Sequence, residues 1–201
     1  MADCAAGRWD LSKTRLEAFS DGVIAILITI MVLELRVPHG TDAQALRPLV
    51  PVLLTYAMSF AFVGIYWANH HHMLHATERV NGAILWANLH LLFWLSLTPF
   101  VTGWMGENHF APLPTAAYGV VLLLSGVAYT ILQTVIVRYE GERSRLRAAV
   151  GRDFKGKISL VAYLTAIPLA FVERWLSVGL YVFVSLLWLV PDRRIESRLR
   201  D

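Results

Sequence analysis

One cysteine, Cys4, is all the thiol chemistry in the sequence. It rules out an internal disulfide framework and a cysteine-built metal site. Charge is scarce as well. Asp, Glu, Lys and Arg make up 16% of the 201 residues, against about 25% in soluble domains, and a water-facing fold of this size needs more polar covering. No nucleophile elbow, phosphate-binding glycine loop or H-E-x-x-H zinc helix occurs, so the sequence is not read as an enzyme. The first fifteen residues carry Asp3, Arg8, Asp10, Lys13 and Arg15, which leaves no room for the apolar core of a signal peptide. The apolar run after Asp21 is therefore expected to be a retained first span.

What is abundant is apolar chain. Hydrophobic residues reach 56% and the mean hydropathy is +0.52. Uncharged runs extend from Pro48 to Thr77, Val80 to Gly106 and Asn108 to Val137, each beyond the ~20 residues that cross a bilayer as helix. The predicted fold class is all-α: a polytopic membrane protein with six transmembrane helices. The spans are placed at about Leu16–Leu35, Leu49–Ala68, Val80–Met105, Thr115–Val137, Ile158–Val172 and Trp175–Val190. Pro48 and Pro51 suit a first helical turn at the entry to the second span. Glu173 and Arg174 alone separate the last two, which read as a tight hairpin, with one re-entrant segment as the other arrangement their length permits. The domain reading is an N-terminal segment over 1–14, a membrane domain over 15–191 and a basic tail over 192–201, with no internal repeat.

Orientation follows from counting Lys and Arg by loop. The N-terminal segment holds three, the second loop one (Arg79), the fourth loop seven within 138–157 and the C-terminal tail four. The first, third and fifth loops hold only Arg36, Arg47 and Arg174. Fifteen against three puts both termini and the basic 138–157 loop in the cytoplasm and the chain in the inner (plasma) membrane. Such a loop suits anionic lipid better than nucleic acid, which is not expected as a partner.

The first span carries an ionisable residue, Asp21, and such residues usually mark function inside a membrane. At 100° per residue, Gly22, Ile26, Thr29, Ile30 and Leu33 lie within about 60° of Ile26, while Asp21 sits about 140° away. The two faces must do different things. A carboxylate left in lipid is unstable, so the Asp21 face is expected to meet helices that carry donors. His70 at the end of span two and Asn88 in span three supply them, and Asn81 lies one heptad before Asn88. The expected Asp–His–Asn cluster reads first as a helix-packing network and second as a titrating gate or proton relay. The Ile26 stripe is free to meet copies of itself or to line a path.

These residues resemble a known pattern. Arg15-x-x-x-Phe19-Ser20-Asp21 followed by an apolar helix, then Trp67-x-x-His70, Asn88 and Leu97-Thr98-Pro99-Phe100, is similar to the signature of the prokaryotic relatives of the endosomal and lysosomal potassium channel. The similarity covers about Arg15 to Val190. It implies a homotetramer with a central pore lined by the first helix of each subunit, without a T-V-G-Y-G carbonyl filter, a motif this sequence lacks. Carried over by offset from Asp21, Ile26 would form the narrowest ring, Thr29 would supply selectivity hydroxyls, and Ile30 and Leu33 would continue the apolar wall. Arg15, Phe19, Ser20 and Asp21 would form a packing network with Trp67, His70 and Asn88. Four isoleucines give an ion nothing in place of its water, so a tight ring dewets and blocks while a wider one passes partly hydrated ions. The implied activity is a leaky, potassium-favouring cation channel with K+ as the permeating ion, no cofactor and no bound metal.

The rival reading from another class is a histidine-dependent divalent metal transporter or sensor. His71 and His75 have the i, i+4 spacing that puts two imidazoles on one helical face. No carboxylate–histidine ladder continues across the bilayer, however. A ring of Glu34 would gather cations at the outer mouth, although Glu34 and Arg36 equally suit the outer interface.

Overall fold

Prolines, asparagines and charges set where the helices begin and end. In a computed structural model, which describes residues 3–141, 144, 146 and 154–189, α1 runs over Asp3–Met31 and tightens into a 3-10 turn at Val32–Glu34. A second 3-10 segment, Ala43–Leu49, leads into α2, Val50–His75. Then follow α3 (Gly82–Ser96), α4 (Thr98–Glu107), α5 (Pro112–Glu140), α6 (Phe154–Leu169) and α7 (Arg174–Leu189). Among the described residues, four stretches are long and apolar enough to cross a membrane: 13–34, 43–75, 82–107 and 112–140. The chain is an all-helical, multi-pass membrane protein.

Several boundaries differ from the sequence reading. Residues 3–14 and the first span share one helix, Asp3–Met31. The third predicted span is two helices, broken at Leu97. Pro99 explains the break. It has no N–H to give to the carbonyl four residues earlier and its ring crowds that turn, so it starts a new helix instead. Asn81 does not share a face with Asn88 but caps α3, its side chain accepting from the Ile84 N–H at 2.9 Å. Pro51 sits in the first turn of α2 as expected, whereas Pro48 lies inside the preceding 3-10 segment. The last two predicted spans form a hairpin of 16-residue helices, held where the Ser177 hydroxyl donates to the Ala166 carbonyl at 2.8 Å. Half of the basic 138–157 loop, including Arg143, Arg145, Arg147 and Arg152, and all of the 192–201 tail lie outside the described residues.

Apolar packing gathers in two places. One cluster joins α1, α2, α3 and α5 through Ile24, Leu27, Met31, Met73, Leu91, Leu132 and Ile136. The other joins α2, α4, α5, α6 and α7 around Phe62, Met105 and the rings of Tyr118, Tyr163 and Tyr181. In lipid the hydrophobic effect does not press helices together, so close approach and hydrogen bonds must do it. Gly106 is one such approach. A methyl group there would lie 2.9 Å from the Val52 Cα in the backbone of α2.

Candidate functional site on the first helix

Among the described residues, α1 is covered on one side, by α2, α3 and α4. Leu16, Ser20, Ile24, Leu27 and Met31 are buried on that side, Ile24 to 1% and Met31 to 0% exposure. Arg15, Phe19, Gly22, Ala25, Ile26, Thr29, Ile30 and Leu33 are exposed on the other, with Ile26 56% and Leu33 76% open. Both sets recur every three to four residues, so they are two stripes of one helix. The Thr29 hydroxyl bonds back to the Ala25 and Ile26 carbonyls at 3.2 and 3.0 Å, a habit of helical threonine.

The buried stripe is fastened by a directed chain of hydrogen bonds. His70 Nε2 lies 2.7 Å from Asn88 Oδ1, the Asn88 amide donates to Ser20 Oγ at 2.9 Å, and the Ser20 hydroxyl donates to the Leu16 carbonyl at 2.8 Å. With every other donor assigned, Nε2 carries the histidine proton. Ser20, Asn88 and His70 are at most 1% exposed, where an unpaired polar group costs about 1–3 kcal/mol. Asp21 belongs to a separate link: its Oδ1 accepts from the Trp67 indole N–H at 3.0 Å.

Two corrections to the expected network follow. From α1 it is Ser20 that bonds Asn88, and through it His70, because Ser20 shares the buried face with Leu16 and Ile24, while Asp21 lies 100° round and bonds Trp67. Arg15 and Phe19 are exposed and lie off the buried face that carries the Ser20–Asn88–His70 bonds. They stand 11 and 7 residues before Ile26, within about 20° of it around the helix, and share its exposed stripe.

A second tie, absent from the sequence reading, lies near the C-terminal end of α1. Thr102 Oγ1 lies 2.7 Å from Ser59 Oγ, which lies 3.0 Å from the Tyr118 hydroxyl, and Thr102 contacts the Met31 sulfur at 3.9 Å. Three hydroxyls scattered over three apolar runs carry no pattern that would pair them in sequence. Beyond the helix end, Arg36 bonds Glu107 at 2.9 Å, and Glu34 packs against Gly103.

His71 and His75 stack with ring centroids 6.1 Å apart, both exposed. Among the described residues no group of three or more His, Cys, Asp or Glu side chains is placed to hold a metal, so the metal-transporter reading is not favoured.

Comparison with known proteins decides the family. Residues 15–99 match the profile of the endosomal/lysosomal potassium channel TMEM175. A potassium channel of Chryseobacterium sp. strain P1-3 is 53% identical over 191 residues, 95% of this chain and the whole of that protein. The chain belongs to the TMEM175 potassium-channel family. A second relative, a potassium channel of Chamaesiphon minutus, is 32% identical across 82% of this chain and 87% of its own. The crystal structure of a lysosomal potassium-selective channel TMEM175 homolog from that organism superposes with a TM-score of 0.77 at 28% identity, over 89% of this chain and 97% of that one. In this TMEM175 family member, the profile match spans every residue of the two α1 stripes from Arg15 to Leu33, together with Trp67, His70 and Asn88.

Proposed function

We propose that the protein is a potassium-favouring cation channel in which four copies surround a pore lined by the exposed stripe of α1. The observation that carries this reading is the division of α1. One face is locked into its own chain by buried hydrogen bonds, while the other offers Gly22, Ala25, Ile26, Thr29, Ile30 and Leu33 to something outside the chain. Small residues at Gly22, Ala25 and Thr29 permit close approach of neighbouring helices, as lipid-buried interfaces require. The potassium channels among its relatives support K+ as the ion.

Ile26 supplies the constriction, with Ile30 and Leu33 extending the apolar wall, and Thr29 hydroxyl oxygens replace part of the water shell one turn on. Potassium sheds water more readily than sodium and is favoured, without strict exclusion. No cofactor takes part and no chemistry is catalysed. Both termini face the cytoplasm, and the basic 138–157 loop meets anionic lipid of the inner membrane.

The test is purified protein in planar bilayers with K+ on one side and Na+ on the other. A reversal potential displaced towards the K+ equilibrium value, altered by Ile26→Ala and Thr29→Ala, is the expected result. Currents that ignore both substitutions would remove α1 from the pore.

A further inference from the structure

We propose that His71 and His75 form a two-imidazole site for a divalent transition-metal cation of the Zn2+, Ni2+ or Cu2+ class, at the last turn of α2. The site lies outside the proposed conduction path, and its binding does not depend on the channel reading. α2 holds 26 residues, about 39 Å at 1.5 Å each, against a hydrocarbon core of about 30 Å. Its end therefore reaches water, and both side chains are exposed.

Geometry favours this pair over the neighbouring histidines. The His71 and His75 rings are nearly parallel, 14° between planes at 6.1 Å. Modest turns about their side-chain bonds let one nitrogen of each converge on an ion at about 2.0–2.1 Å. His70 is committed to Asn88 at 2.7 Å inside the bundle. His72 lies 100° round the helix and meets His71 edge-on, at 66° between planes.

The surroundings favour a cation. Trp67, His71 and His75 form an i, i+4, i+8 stripe on α2, and Lys13, Glu17 and Asp21 form the matching stripe on α1. The two are tied at one end by Trp67–Asp21 at 3.0 Å and at the other by the Lys13 ammonium, which donates to the His75 carbonyl at 3.3 Å. Lys13 also lies 3.9 Å from Glu17, so its charge is offset and the Asp21 carboxylate leaves the facing stripe net negative. Imidazole suits these borderline metals rather than Ca2+ or Mg2+. With no third side chain placed to ligate among the described residues, water completes the coordination.

The test is calorimetric titration of the full chain, made without a polyhistidine tag and stripped with chelator, using Ni2+ and Zn2+ in turn and Mg2+ as control. Saturable binding of one Ni2+ or Zn2+ per chain is expected, with none for Mg2+. His71→Ala and His75→Ala should each abolish it, while His72→Ala should leave it intact. An unchanged size-exclusion profile shows that the variants remain folded. Absence of saturable binding in the parent protein, or its persistence when both His71 and His75 are replaced, overturns the proposal. Because heat of binding is read rather than current, a protein that binds metal yet conducts nothing would refute the channel reading alone.

Discussion

Asn88 ties α1 to α2 and α3 through one side chain. Its amide is used on both sides, accepting from His70 and donating to Ser20, in a place no water reaches. Asn88→Ala leaves His70 Nε2 buried without its acceptor and takes one of two bonds from Ser20 Oγ, the one to the Leu16 carbonyl remaining. At about 1–3 kcal/mol per orphaned group, the expected outcome is a clear drop in the melting temperature of the detergent-solubilised protein. Ser20→Ala should cost less, since it leaves only one Asn88 donor unmet. Ile26, by contrast, touches little of its own chain. Ile26→Ala is expected to leave the melting temperature nearly unchanged while raising single-channel conductance, and a matching loss of stability would place Ile26 in the core instead.

At the scale of helices, the contact of α4 with α2 hinges on Gly106. Gly106→Ala drives a methyl against the Val52 backbone and the Thr55 hydroxyl. Neither helix has a flexible tip to yield there, so a loss of about 1–3 kcal/mol is expected, readable as a lower melting midpoint. The sequence made most of this level legible, because charges are too costly in lipid to be scattered and their gaps outline the spans. It concealed the break at Leu97, since an uninterrupted apolar run carries no charge to mark a kink. Pro99 was visible but was read as part of a motif rather than as a helix start. Asn81 misled for a related reason. Heptad spacing placed it beside Asn88, whereas Asn-Gly before an apolar run is a cap signal. The resemblance groups Arg15 and Phe19 with Ser20 and Asp21, although helical angle alone divides them between two faces. That Asn88 would meet Ser20, or Thr102 would meet Ser59, depends on how separate helices are rotated against one another, which one chain's pattern does not encode.

For the whole molecule, the uncovered stripe of α1 is expected to be closed by other copies. Light scattering of the detergent complex, corrected for bound detergent, should give about four times the 22.6 kDa chain mass, and a monomer would leave the stripe facing lipid. Topology can be read in the same preparation: in a Cys4→Ser background, Asn108→Cys should react with an impermeant maleimide from outside intact cells, and Glu78→Cys should not. The small bond made by Thr29 then acquires a larger meaning. Its hydroxyl proton is given to the Ala25 and Ile26 carbonyls, so in the proposed tetramer the oxygen turns only lone pairs inward. A chloride ion arriving there meets four acceptors and not one donor. The wall thus tells positive from negative ions without a charged side chain, and a KCl gradient across it should give a potential set by the cation alone.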